Sequence, residues 1–115
     1  MALSIKQVAL NTIELEARAV SGLAAYADDA FELAVKAIAA TKGRVVVSGI
    51  GKSAVIAQKI VATFNSTGTP SIFMHAADAI HGDLGIVQQD DVVIIISKSG
   101  ESPEIKVLVP LIRNF

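Results

Sequence analysis

The stretch Ser97-Lys98-Ser99-Gly100-Glu101-Ser102-Pro103-Glu104 gathers hydroxyls, a glycine and two carboxylates into one short segment. It follows the apolar run Val92-Val93-Ile94-Ile95-Ile96 and precedes apolar residues at Ile105, Leu108, Val109 and Ile112, the spacing of a helix face. A strand that ends in hydroxyls and then opens a helix suits an anion. The first turn of a helix carries unpaired N–H groups and the positive end of the helix dipole. Ser97, Ser99 and Ser102 add donors that can follow phosphate oxygens, and Gly100 lets the backbone come close. Serines also form turns and caps, but three at this spacing favour a phosphate ester. Glu101 and Glu104 flank the end of the serine loop, and Glu104 falls in the first helical turn, where the dipole favours carboxylates. Glu104 is also placed to act as a general base one turn from such a phosphate.

A second loop, Gly49-Ile50-Gly51-Lys52-Ser53, also follows a strand and opens a helix. It is not a nucleotide P-loop, because the glycine required five residues before the Gly-Lys pair is replaced by Val46. It is not a dinucleotide fingerprint either, because Ala54 stands at the third glycine. Two readings remain: a plain turn with a solvent lysine, or a tight turn presenting Lys52 and Ser53 at the carboxyl edge of a sheet. In an open parallel sheet, ligands bind beyond that edge at a switch point. Lys52, Ser53 and the serine loop therefore converge on one ligand if the strands are parallel. His75 and His81, the only histidines, follow another strand. His81-Gly82-Asp83 suits sugar hydroxyls or proton transfer. Two histidines and Asp83 have no recognisable metal spacing.

The elements that position these residues follow from periodicity. Residues from about 3 to 40 read as helical, with Leu10, Ile13, Ala17, Val20 and Ala24 on one face and Glu14 spaced to pair with Arg18. Gly22 leaves one long helix and two consecutive helices both open, and Gly43 ends the region. Short strands are predicted at 44–48, 71–74 and 91–97, with helices at 53–65, at 76–80 and from Pro103, Ser102 being the N-cap. Pro110 is expected to kink the last helix. Strands alternating with helices predict an α/β fold with a parallel sheet.

Composition narrows the function. Of 115 residues, 52% are hydrophobic and 18% charged, with a net charge of −1. That balance excludes a disordered tail and gives no field to recruit nucleic acid. The absence of cysteine excludes disulfides and thiolate metal sites. The start of the chain has no block resembling a signal peptide, and the longest apolar run is too short to span a bilayer. A cytoplasmic protein, with no membrane or nucleic-acid partner, is expected. The last helix is still in register at Asn114-Phe115, so the chain reads as lacking the last strands of a larger domain.

Four motifs in order resemble the D-arabinose-5-phosphate isomerase family: Gly-Ile-Gly-Lys-Ser (49–53), Ala-Thr-Phe-Asn-Ser-Thr-Gly-Thr-Pro (62–70), His-Ala-Ala-Asp-Ala-Ile-His-Gly-Asp-Leu-Gly (75–85) and Ser-Lys-Ser-Gly-Glu-Ser-Pro-Glu-Ile (97–105). The resemblance is specific from about residue 43 onward and looser before it. It implies a sugar isomerase (SIS) domain, flavodoxin-like with three αβα layers, over 43–115, and a helical segment over 1–42 packing on its sheet. The family interconverts D-ribulose 5-phosphate and D-arabinose 5-phosphate for Kdo, and so for lipopolysaccharide or capsule synthesis. By resemblance, Lys52 matches an essential lysine and Glu104 a catalytic glutamate. Gly68, Thr69, His75 and His81 match substrate contacts, and His75 also the position of an inhibitory zinc. Ser53, Ser97, Ser99 and Ser102 match phosphate-binding positions. No cofactor is implied. Homotetramers with sites near subunit borders are implied, so His81 can serve a neighbour's pocket.

Three departures stand out. Ala54-Val55 replaces the Gly-His of many members. The family's later glutamate and histidine, and the CBS domains of many members, fall beyond Phe115. The chain alone is therefore expected to be inactive. The rival reading is a non-catalytic SIS module that binds a phosphosugar as a regulatory ligand, and Lys52 and Glu104 favour the enzyme. Either Glu104 or His81 can carry the proton between C1 and C2.

Overall fold

Val45, Val46 and Val47 are completely buried, and the larger part of the fold is assembled around them. The computed structural model describes residues 2–114. The chain forms two compact units, Met1–Lys36 and Ala37–Phe115.

In the first unit, α1 (Ile5–Gly22) is followed by a 3-10 turn (Leu23–Tyr26) and then by α2 (Asp29–Ala40), which runs on past Lys36. Of the two arrangements open from the sequence, the structure has two helices, with the break directly after Gly22. Ser4 Oγ caps α1 by accepting from the Gln7 N–H at 3.1 Å, and Asp28 Oδ1 caps α2 by accepting from the Phe31 N–H at 3.0 Å. Neither helix has a buried residue. Ile5, Ile13 and Val20 are 91%, 64% and 66% exposed, so the predicted apolar face is not core. Glu14 and Arg18 do not pair; among the described residues the i,i+4 ion pair is Glu32–Lys36 at 3.8 Å. An exposed pair of this kind stabilises by only about 0.3 kcal/mol, too little to hold two long side chains together.

In the second unit, β1 (Val45–Gly49), α3 (Lys52–Ser66), β2 (Ser71–His75), α4 (Ala76–Ile80), a 3-10 turn (Asp83–Ile86), β3 (Val92–Ile95) and α5 (Pro103–Arg113) follow in order. The sheet is parallel with order β2-β1-β3; Val45 pairs with Ser71 and Val92, and Ser48 with Met74 and Ile95. Alternate residues of β1 feed two cores. Val45 and Val47 pack with Ala57, Ile60, Val61 and Phe64 of α3 and with Ile38. Val46 packs with Met74, Ala76, Ala79, Ile105 and Leu108 on the other face. Helices therefore cover both faces, which gives the three layers and explains why β1 is an unbroken apolar run. Each buried valine contributes roughly 1.5–3 kcal/mol. β3 is an edge strand, only half-buried, and ends at Ile95, two residues earlier than predicted. Ile96 N–H still bonds Ser48 O. The α5 helix runs through Pro110 to Arg113 without a break.

The sequence offers no sign of a polar knot at the amino edge of the sheet. The Asp91 side chain is 1% exposed. Its carboxylate accepts from the Arg44 N–H at 2.7 Å and the Gln88 N–H at 2.8 Å, with the Arg44 guanidinium at 3.5 Å. Gly43, predicted as a helix end, serves this knot instead. The α2 helix already stops at Ala40, and a Cβ on Gly43 would lie 2.5 Å from Asp91 Oδ1 and 2.6 Å from the Asp90 carbonyl. Burial raises the Asp91 pKa, but the two N–H groups and Arg44 more than reverse this, leaving it below its ordinary 3.8. A lowered folded-state pKa contributes stability that is present above the unfolded pKa and lost as pH falls through the folded one. Asp91→Ala is therefore expected to cost about 3 kcal/mol near pH 7. In urea titrations, the gap from the parent should shrink below about pH 4.

Candidate functional site

The connections create a switch point. From β1 the chain passes through α3 to β2 on one side, then returns through α4 to β3 on the other. The loops leaving β1 and β3 therefore part at the carboxyl edge, where open α/β sheets bind ligands. A cleft of about 250 Å³ lies there, lined by Ile50 and Ser53 from the first loop and by Ile96, Ser97, Lys98, Ser99 and Ser102 from the second. Gly51 (φ 62°) and Gly100 (φ 71°) turn the two loops through the left-handed region that other residues resist.

Two helix N-termini open beside this cleft, and neither is capped by a side chain. The α3 helix starts after Gly51 and α5 after Ser102, with no side-chain cap on either. The other three helices are capped, α1 by Ser4, α2 by Asp28 and α4 by the His75 ring. Ser102 occupies the N-cap position predicted for it, with extended φ and ψ, but does not make the capping bond. Its Oγ is buried and has no hydrogen-bond partner among the described residues. Leaving such a group unpaired costs roughly 1–3 kcal/mol, so a ligand oxygen is the natural partner. Ser97 Oγ accepts from the Gly100 N–H at 2.9 Å and Ser99 Oγ from the Glu101 N–H at 3.0 Å. These bonds shape the loop and use only acceptor capacity, so both hydroxyl protons stay free to donate.

The remaining sequence-predicted residues fall in three places. Lys52 is the first residue of α3 and exposed, and Glu104 lies half-buried in the first turn of α5. Each neighbours the cleft in sequence without lining it. His75 ends β2 on the same sheet edge. Its Nδ1 accepts from the Ala77 N–H at 3.2 Å, and its ring meets Phe73 edge-on at 6.2 Å. Nδ1 is thus an acceptor, which leaves the proton of the neutral ring on Nε2. His81 follows α4 and is exposed. Among the described residues, no three His, Cys, Asp or Glu side chains group to hold a metal ion, so a zinc ion on His75 needs ligands from elsewhere.

Gly68 and Thr69 lie apart. They follow α3 and precede β2, at the amino edge of the sheet, where Pro70 O accepts from the Val45 N–H. The length of α3 separates them from Ser53, about 20 Å at 1.5 Å per residue. Within one chain they do not join the serine cleft. In a parallel sheet a loop from helix to strand lies at the amino edge, opposite the loops that run from strand to helix. Lys98 is the converse case, a cleft-lining residue that sequence reasoning passed over. Its only signal was its place between two candidate serines.

The family model for the SIS domain matches residues 37–115. The chain belongs to the SIS domain family. The match covers the whole second unit, Ala37–Phe115. This SIS domain is similar to arabinose 5-phosphate isomerase KdsD of Pseudomonas aeruginosa, 51% identical over 92% of this chain, and to KdsD of Escherichia coli K12, 46% identical over 95%. It spans about a third of those relatives, 32% and 33%. It is also similar to the solved structure of c3406 from E. coli CFT073 in complex with arabinose 5-phosphate, with a TM-score of 0.79 and 38% identity. That comparison covers 97% of this chain and 61% of the other.

One expectation separates a structural from a binding role for the serine cleft. Ser102→Ala removes an unpaired buried hydroxyl, so the free SIS domain should keep its stability within about 0.5 kcal/mol or gain slightly. Affinity for a phosphosugar should nevertheless fall about tenfold. Thermal unfolding and calorimetry on the same sample check both halves.

Proposed function

We propose that this SIS domain holds the phosphate of a five-carbon sugar in an aldose–ketose isomerase that interconverts D-arabinose 5-phosphate and D-ribulose 5-phosphate. The observation that carries the reading is the pairing of two uncapped helix N-termini with the buried, unpartnered Ser102 Oγ at one cleft. An anion answers all three. The similarity to the KdsD proteins and to the arabinose 5-phosphate complex supports the choice of sugar. Such an enzyme supplies Kdo synthesis, and so lipopolysaccharide or capsule.

In this reading Ser53, Ser97, Ser99 and Ser102 bind the phosphate, a remote handle whose binding energy positions the reacting carbons. Glu104 shuttles a proton between C1 and C2 through an enediol, and Lys52 offsets the charge that develops on the enediolate oxygen. His75 and His81 contact the sugar hydroxyls. Gly68 and Thr69 serve the site of a second copy, which fits their place at the opposite edge. The exposed apolar residues of α1 and α2 fit a tetramer of this kind. No helix among the described residues is long and apolar enough to cross a membrane. The substrate is a charged metabolite, and we place the protein in the cytoplasm.

A coupled isomerase assay on the protein at its native length tests the reading, with a panel of pentose and hexose phosphates. Turnover of arabinose 5-phosphate above the others is expected. Tight binding of that sugar with no turnover of any member would instead favour a ligand-sensing SIS module.

A further inference from the structure

The cleft is lined by serines, by isoleucines and by one residue with a charged side chain, the exposed Lys98. No carboxylate of the described residues lines it. Of the acidic groups in the adjoining loop, Glu101 is engaged by Lys106 at 2.7 Å. Lys98 has no ion-pair partner among the described residues, whose pairs are Glu32–Lys36, Arg44–Asp91 and Glu101–Lys106. Lys52, the cation expected at this edge, does not line the cleft.

From this arrangement we infer that Lys98 is the specificity-determining cation of the phosphate cleft, selecting a doubly charged phosphomonoester over singly charged or neutral ligands. The inference rests on the proposed phosphosugar reading and assigns within it a residue that reading leaves unused. Neutral donors alone discriminate weakly between a monoanion and a dianion, because both present acceptor oxygens. A fixed positive charge interacts twice as strongly with two charges as with one. Uncapped helix ends add partial charges that fall off within a turn, so the full charge of a lysine dominates selection. The position between Ser97 and Ser99 matters mechanically as well. Both neighbours are tied into the turn through Gly100 and Glu101 N–H groups, which gives the Lys98 backbone a defined place on the rim. Lys98 therefore acts on binding, whereas Lys52 and Glu104 act on turnover.

The test is calorimetric titration of the chain with arabinose 5-phosphate, inorganic phosphate and unphosphorylated arabinose, at low and physiological salt and from pH 5 to 7.5. Lys98→Gln is expected to bind arabinose 5-phosphate about tenfold more weakly at low salt, and the deficit should narrow as the Debye length contracts to about 8 Å. In the parent, affinity should rise as the phosphate loses its second proton near about pH 6. Lys98→Gln should flatten that rise, and Lys98→Arg should restore it. Lys59→Gln, the same charge change on the exposed part of α3, should bind within about twofold of the parent. Parent-like affinity and pH dependence in Lys98→Gln, or an equal loss in Lys59→Gln, would overturn the inference while leaving the phosphosugar reading intact. Failure of Lys98→Arg to restore binding would also overturn it. Failure of the parent to bind any phosphorylated ligand would overturn both.

Discussion

Ser99→Asp is expected to weaken binding of arabinose 5-phosphate by at least about a hundredfold. The substitution removes a hydroxyl donor from the cleft rim and places a carboxylate there. Losing a donor to a charged ligand costs about 1.5–3 kcal/mol, and facing the phosphate with a like charge costs several more. Ser99 is exposed, so the fold tolerates the new charge. The carboxylate can still accept from the Glu101 N–H as the hydroxyl does at 3.0 Å. Ser99→Ala should lose only about tenfold, because it deletes the donor without adding repulsion. Calorimetry ranks the three proteins, with unchanged unfolding curves as the control. A Ser99→Asp protein that binds like the parent would remove the loop from the site.

The second large effect is kinetic. Lys52→Ala should lower isomerase turnover in the native-length protein by about a thousandfold, while binding of arabinose 5-phosphate changes by less than about threefold. Lys52 is exposed at the first position of α3, so its removal leaves the packing of Ala54 and Ala57 untouched. Its proposed role is to offset charge on an oxygen that is negative only in the transition state, and such interactions appear in kcat more than in affinity. This separates it from Lys98, whose loss should raise Kd. If the two variants exchange phenotypes, the division of labour is wrong. Equal kcat for Lys52→Ala and the parent would return Lys52 to the solvent lysine that its sequence also allows.

Much of the fold is legible in the sequence. Three short apolar strands interleaved with helices pointed to a parallel sheet, whose helix crossovers bury runs such as Val45-Val46-Val47 on both faces. The glycines before Lys52 and the serines around Gly100 mark two loops at one sheet edge, and the cleft between them is lined by those serines and Ser53, though not by Lys52. What the sequence concealed depends on three-dimensional neighbours. Asp91 reads as one of two adjacent acids before a strand, and only the approach of Arg44 and Gln88 N–H groups makes it a buried anchor. Ser102 reads as an ordinary N-cap. Its Oγ is buried and unpaired among the described residues, which no local pattern encodes. The resemblance names Gly68 and Thr69 as substrate contacts, and their place between α3 and β2 puts them at the amino edge, away from the serine cleft of the same chain. The apolar face of α1 carried a clear helical period but no indication of what it meets.

The most direct measurement is a nitrogen–proton NMR titration of the chain with arabinose 5-phosphate. The largest saturable shifts are expected at the amides of Lys52, Ser53 and Ser97 through Ser102, the groups around the two uncapped helix ends, with unphosphorylated arabinose leaving them in place. Shifts confined to other residues, or the same shifts from the unphosphorylated sugar, would contradict the assignment of this cleft to phosphate.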